Sequence, residues 1–274
     1  MPHKEKRADL HVHTNLSDGT FSPEEVVEYA IKIGLSAIAI TDHDSIEAIA
    51  LAIKAAEGKN LEIIPGLEFT TELENCEAHI LGFFIDYNKK WFTDELLHLR
   101  QMRHIRMQKM LECLSKKGID ITMDEVKSVS GEGSLGRLHL AKLLFKKGHV
   151  SSVRSAFDKF IGSGKSCYVS GDRISPQDAI AMIIKANGVP VLAHPHIMGQ
   201  DRFIPKLVKA GLKGIEVYHS DHTAAAINHY KKIAEEFGLL MTGGSDCHGM
   251  GKGKILMGTV TVPYEIVEQL KNAR

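Results

Sequence analysis

The sequence predicts an α/β fold, a closed or distorted barrel interrupted by a helical insertion. Three observations carry that expectation. The chain has 274 residues, a length at which α/β barrels form one unit. Seven short apolar runs, at 8–13, 35–41, 61–67, 79–85, 189–193, 214–217 and 239–242, alternate with amphipathic helical stretches, the pattern of strands joined by crossover helices into a parallel sheet. Between the fourth and fifth runs lie about a hundred residues with helical periodicity and no good strand.

The elements follow in order. The run 8–13 (ADLHVH) is the first strand. Ser22-Pro23-Glu24-Glu25 then supplies an N-cap, a proline at the first helical position and a capping-box acid. That helix ends at Gly34. The run 35–41 (LSAIAIT) reads as a buried strand, and Ser45 is expected to cap the next helix, through Ala56. Strands at 61–67 and 79–85 precede helical patterns at 94–116, 122–130, 136–147 and 152–161. Helices at 175–187, 204–210 and 224–237 then interleave with the last three strands. A further short strand is expected within 256–262, with a helix after Pro263. The expected division is a barrel over 1–95 and 171–274, with 96–170 as an inserted basic helical subdomain.

Composition narrows the function. Hydrophobic residues at 43% and charged residues at 25% exclude a disordered, collagenous or disulfide-scaffold chain. No apolar run approaches the roughly 18 residues of a membrane span, and residues 1–7 lack a signal-peptide core. Cys76, Cys113, Cys167 and Cys247 form no CxxC pair, which argues against a thiolate zinc site and fits a reducing compartment. A cytoplasmic protein with no membrane partner is expected. Histidine is the outlier, at 15 residues against six tyrosines and one tryptophan, and it is the commonest metal ligand.

The chemistry gathers at strand ends. His11 and His13 share one side of the first strand because side chains alternate, and Asp18 follows. The second strand runs into Thr41-Asp42-His43-Asp44, and the third ends in Pro65-Gly66-Leu67-Glu68. The fourth begins at His79, and the fifth ends in Ala193-His194-Pro195-His196. The seventh runs into Gly243-Gly244-Ser245-Asp246-Cys247-His248. Barrel active sites lie at the strands' C-terminal ends, and such nitrogen and oxygen donors suit Zn²⁺, Mn²⁺ or Fe²⁺. His11, His13, Asp18, His43, Glu68, His79, His194, Asp246 and His248 are more donors than one ion needs. They suffice for two or three divalent ions if a carboxylate bridges. Each fragment alone reads as a turn or a core histidine. Together they would crowd one barrel mouth with ionisable groups that are costly to bury unpaired.

In this order, DLHVHTNLSDG, AITDHDS, IIPGLEFT, AHILGF, VLAHPH and TGGSDCHG resemble the PHP (polymerase and histidinol phosphatase) family of metal-dependent phosphoesterases. The similarity covers essentially the whole chain. It implies a distorted (β/α)7 barrel and a trinuclear metal centre. By the resemblance His11, His13 and Asp246 would hold one ion, and Glu68 would bridge to a second completed by His79 and His194. Asp18, His43 and His248 would hold a third. Some members have histidine where Asp18 stands; the added carboxylate favours Mn²⁺ over Zn²⁺ or Fe²⁺.

Two further segments, LGRLHLAKLLFKKGHVSSVRSAFDKFIGSGKSCYV and GIEVYHSDHT, resemble the branch of the family that hydrolyses nucleoside 3′,5′-bisphosphates and trims short RNA from its 5′ end. The likeness implies phosphate contacts from Arg137 and His139, with Arg100, Arg103 and Arg106 as further candidates. The glycine-rich turn 131–136 would add backbone N–H groups. Residues 96–170 hold 14 Lys/Arg and 6 Asp/Glu, a net of +8 on a neutral chain, as suits a cap that attracts an anion or simply a solvated set of helix faces. The expected reaction is hydrolysis by a metal-bridging hydroxide, with His196 or His219 as optional proton donors to the leaving oxygen. The expected substrate is a small phosphorylated nucleotide or short oligoribonucleotide rather than duplex DNA. The alternatives are a phosphatase for another small phosphomonoester, such as histidinol phosphate, or a non-catalytic PHP module.

Overall fold

The computed structural model describes residues 5–74, 76–130, 134–170, 173–251 and 253–274. Residues 131–133 of the glycine-rich turn therefore lie outside the described residues. Strand β1 (Arg7–Val12) leads to α1 (Pro23–Lys32), whose N-cap Ser22 forms the expected capping box with Glu25. Then come β2 (Ala37–Ile40), α2 (Glu47–Ala56), β3 (Glu62–Leu73) and β4 (Cys76–Phe83). Helices α3 (Lys90–Ser115), α4 (Met123–Ser130), α5 (Arg137–Lys146) and α6 (Val153–Ala156) follow, the last continuing as a π turn over Phe157–Ile161. The chain returns through α7 (Pro176–Lys185), β5 (Val189–Leu192), α8 (Pro195–Met198), α9 (Ile204–Lys209) and β6 (Gly214–His219). It ends with α10 (Ala224–Phe237), β7 (Leu240–Gly244), β8 (Val262–Pro263) and α11 (Glu265–Asn272).

The sheet order is β7-β6-β5-β4-β3-β2-β1-β8. Strands β7 and β1 meet just past β7, where His13 N–H donates to Cys247 O at 2.9 Å and Cys247 N–H to His11 O at 3.3 Å. Seven strands thus close on themselves, and the two-residue β8 pairs antiparallel outside the ring. Closure requires a glycine, since a Cβ on Gly244 would meet the backbone N of His11 at 2.4 Å. One feature departs from the parallel pattern. β4 is antiparallel to both β3 and β5, because only two residues separate β3 from β4, far too few for the crossover that parallel pairing needs. Ser45 does not cap α2. The N-cap is Ile46, and the Ser45 hydroxyl instead donates to the side chain of Glu47.

Alternate strand residues bury opposite faces. Ala8, Leu10, Ala37, Ala39, Leu81 and Val191 pack with Val267 and Leu270 of α11, while Ile38, Ile40, Ile80, Ile215 and Val217 pack under the surrounding helices. A third cluster, including Met107, Leu111, Leu114, Leu140, Leu144, Ile161 and Cys167, is built wholly from residues 107–169. Helix α3 belongs to two cores. Phe92, Leu96 and Leu99 pack with the barrel, and Met107, Met110 and Leu111 with the third cluster. Arg100, Arg103 and Arg106 fall between those two sets. Cys113 and Cys167 form a disulfide that staples the C-terminal half of α3 to the segment after the π turn. With this pair bonded, the cysteine pattern is no guide to a reducing compartment. Among the described residues no helix is long and apolar enough to cross a membrane.

Candidate metal centre

The strand ends converge on Glu68, which is 1% exposed. Five imidazoles surround its carboxylate, with His11 Nε2 and His13 Nε2 at 3.3 Å, His43 Nδ1 at 3.2 Å, His79 Nδ1 at 2.8 Å and His194 Nε2 at 2.9 Å. Asp246 Oδ1 lies 3.1 Å from His13 Nε2 and 3.5 Å from His11 Nε2. Asp18 Oδ1 lies 3.1 Å from His248 Nε2. All nine expected donors therefore meet in one cluster. Their donor atoms fall into sets within 4.8 Å of one another: His13, Asp18, His43 and His248; His11, His219 and Asp246; His11, Glu68 and His194; His43, Glu68 and His79. This grouping differs from the partition implied by resemblance, because His13 falls with Asp18 and His219 joins Asp246.

The residues fit divalent ions on their own geometry. His11 Nε2, His13 Nε2, Asp18 Oδ1 and His219 Nε2 are buried and make no hydrogen bond. Each such atom costs about 1–3 kcal/mol if left unsatisfied, and a cation among them satisfies several at once. The charges agree. Burial opposes ionisation of Glu68, yet His79, His43 and His11 hold it well below the usual carboxylate range. Asp18 is likewise held low against burial by His248 and His43. Burial lowers His43 and His194 and leaves them neutral, the form that binds metal. Burial would also lower His13 and His79, but Asp246 and Glu68 carry His13 up to about 9, and Glu68 and Glu77 carry His79 up to about 9.

Other residues hold this cluster in shape. Asp42 accepts from Thr14 N–H at 2.7 Å, the Thr14 hydroxyl at 2.6 Å and the Ser17 hydroxyl at 2.5 Å, which builds the turn that presents Asp18. Glu216 receives the other ring nitrogen of His11 at 2.9 Å and the backbone N–H of His194 at 2.8 Å. Asp44, His194 and Asp246 adopt φ of 47°, 23° and 51°, a left-handed conformation that strains non-glycine residues and concentrates at functional sites.

A cleft of about 820 Å³ opens from the cluster toward the third core, lined by Asp18, Glu68, His79 and His248 at one end and by Arg103, Arg106, Arg137, Arg173, Met107 and Phe157 beyond. The expected phosphate contacts divide on this surface. Arg103, Arg106 and Arg137 face the cleft. Arg103 is committed to Asp44 at 2.6 Å, Thr70 Oγ1 at 2.6 Å and Leu135 O at 3.0 Å. Arg100 pairs with Glu47 and is not among the lining residues. His139 does not line the cleft either. It is 2% exposed, takes the Gly136 N–H at 3.1 Å and is lowered to about 4 chiefly by burial, so it is a neutral cap of α5. His196 is exposed and off the cleft, and His219 is buried behind Asp246 at 3.5 Å. Neither lines the cleft.

The sequence reading missed Glu77, Arg173, Glu216 and Asp42. Glu77 was legible in principle, two residues before His79 on a strand and so on the same face. Glu216 interrupts the apolar run of β6, itself a signal of a buried partner.

The PHP domain model matches residues 9–163, more than half of the chain. The chain belongs to the PHP family. It is 32% identical over 251 residues to a 3′,5′-nucleoside bisphosphate phosphatase of Chromobacterium violaceum, covering 89% of this chain and 88% of that protein. It is 33% identical over 250 residues to a 5′-3′ exoribonuclease of Haemophilus influenzae, covering 89% and 90%. The structure of a protein from Bifidobacterium adolescentis described as a metal-dependent phosphoesterase superposes with a TM-score of 0.88 at 30% identity, over 97% of this chain and 96% of that one. This PHP protein is accordingly a metal-dependent phosphoesterase, a hydrolase built on the barrel described above.

Proposed function

We propose that this PHP enzyme removes the 3′-phosphate of nucleoside 3′,5′-bisphosphates and also acts on short 5′-phosphorylated RNA. The observation that carries the reading is the cleft itself, in which one continuous space joins the histidine and carboxylate cluster to Arg103, Arg106, Arg137 and Arg173. A substrate with one phosphate at each end matches two such stations. The relatives named for a bisphosphate phosphatase and a 5′-3′ exoribonuclease support it.

His11, His13, Asp18, His43, Glu68, His79, His194, Asp246 and His248 would hold two or three divalent ions, Mn²⁺ by preference given Asp18. When bound, such ions supply a deprotonated water near neutral pH and neutralise phosphoryl charge. The protein's own part is positional. Glu68 and Asp18 stay ionised against burial, Asp42 and Glu216 lock the ligand geometry, and Arg137 holds a second phosphate by a charge-assisted fork. We assign the barrel to 1–95 and 171–274 and the basic cap to 96–170. Phosphate release with Mn²⁺ is measured from adenosine 3′,5′-bisphosphate, adenosine 3′-monophosphate and histidinol phosphate. Preference for the bisphosphate is expected. Turnover of histidinol phosphate alone would overturn the substrate reading and leave the metal centre standing.

A further inference from the structure

Glu77 lies between the two ends of the cleft. Its side chain is 15% exposed. Oε1 receives both His79 Nε2, at 3.1 Å, and Arg137 Nη2, while Oε2 lies 3.0 Å from Arg173 Nη2. The other nitrogen of the same imidazole, His79 Nδ1, faces Glu68 at 2.8 Å. One ring thus spans the ligand hub and Glu77. Arg137 has few other restraints, namely the Ile161 carbonyl at 3.2 Å and the faces of Phe157 and Tyr168 at 5.6 and 5.4 Å. Arg173 does not depend on Glu77, since it also pairs with Glu72 at 2.7 Å and stacks on Tyr168.

We propose that Glu77 is a positioning residue whose single carboxylate turns His79 Nδ1 toward the metal hub and fixes Arg137 over the cleft, tying metal binding to phosphate recognition. Two general arguments support it. A ligating histidine commonly donates its second N–H to a carboxylate, which fixes the ring and raises its basicity. A guanidinium held by a carboxylate reads phosphate from a defined position. A strut for arginine alone would have no reason to take His79 Nε2, and a partner for His79 alone would have no reason to carry two guanidinium groups.

The inference rests on the metal-centre reading above, and its test separates the two. Metal-free wild type and Glu77→Gln, a same-shape variant without the charge, are titrated with MnCl2 by calorimetry. The variant should bind the same number of ions, with the His79-dependent site weakened on the order of 10–100-fold. With adenosine 3′,5′-bisphosphate, saturating Mn²⁺ should restore kcat while KM stays raised on the order of tenfold. A purely structural role would not give that split. Wild-type Mn²⁺ affinity and KM in the variant would overturn the proposal alone. A wild type that binds no Mn²⁺ would overturn both. Wild-type protein offers a second test that needs no variant. In the Zn²⁺-loaded form, ¹⁵N-resolved imidazole NMR should show His79 protonated at Nε2, and a proton at Nδ1 would overturn the proposal.

Discussion

The barrel mouth and the arginine wall of the cleft meet opposite demands. At the mouth, buried donor atoms such as His11 Nε2, His13 Nε2 and Asp18 Oδ1 make no hydrogen bond. At the wall, arginine is tied down: Arg103 to Asp44, Arg137 to Glu77, Arg173 to Glu72 and Glu77. The carboxylates that would take a cation stay ionised against burial, and the protein bears that cost in stability. Groups that read an anion are fixed by carboxylates, which hold the guanidinium groups in place while moderating their pull. The +8 of residues 96–170 is therefore less a free positive field than a set of placed guanidinium groups.

The largest test breaks the mouth. Glu68→Gln removes the carboxylate that five imidazoles share. Activity should fall by more than about 100-fold, beyond the loss of an outer-shell partner, and the metal content by elemental analysis should drop with it. Chelation comes next. An ion bound at a hundredfold excess over its Kd stabilises by about 2.7 kcal/mol. Removing it should lower the Tm by roughly 5–10 °C, and Mn²⁺ should restore it. No change on chelation would mean that the clustered donor atoms do not bind metal.

The chelated protein should also respond to pH in a defined direction. His13 and His79 are raised from 6.5 to about 9 in the folded state, so the fold binds protons that the unfolded chain releases. Their contribution is fully present below pH 6.5 and is lost as pH rises through about 9. Denaturant midpoints of the chelated form should decline across that window, and a flat profile would contradict the charges assigned to the mouth. The smallest effect is expected at Arg100→Met. Arg100 pairs with the partly exposed Glu47 and does not line the cleft. Its loss should cost under about 1 kcal/mol and leave KM unchanged in initial-rate assays.

The mouth was legible because barrel geometry fixes where strand ends go, and the sequence carries an ionisable residue at almost every one of them. Alternation put His11 beside His13, and the nine side chains lie together at the mouth. The wall was less legible. A helix face does not reveal which arginine meets a carboxylate far away in sequence, so Arg100, Arg103 and Arg106 looked alike before folding. Glu47 takes Arg100 and Asp44 takes Arg103. His139 followed the likeness to a family branch, but its position three residues after Gly136 makes it a cap. The antiparallel β4 was hidden because a strand's direction depends on the connection before it, and no helix stands between Leu73 and Cys76.

The central claim is that one cleft pairs a metal end with a phosphate-reading end. The most direct measurement is kcat/KM for adenosine 3′,5′-bisphosphate and adenosine 3′-monophosphate, in wild type and Arg137→Met, at saturating Mn²⁺. Losing a charge-assisted hydrogen bond is worth about 1.5–3 kcal/mol. The variant should therefore lose on the order of 10–100-fold with the bisphosphate and less than about threefold with the monophosphate. Equal losses on both substrates, or none on either, would contradict the account.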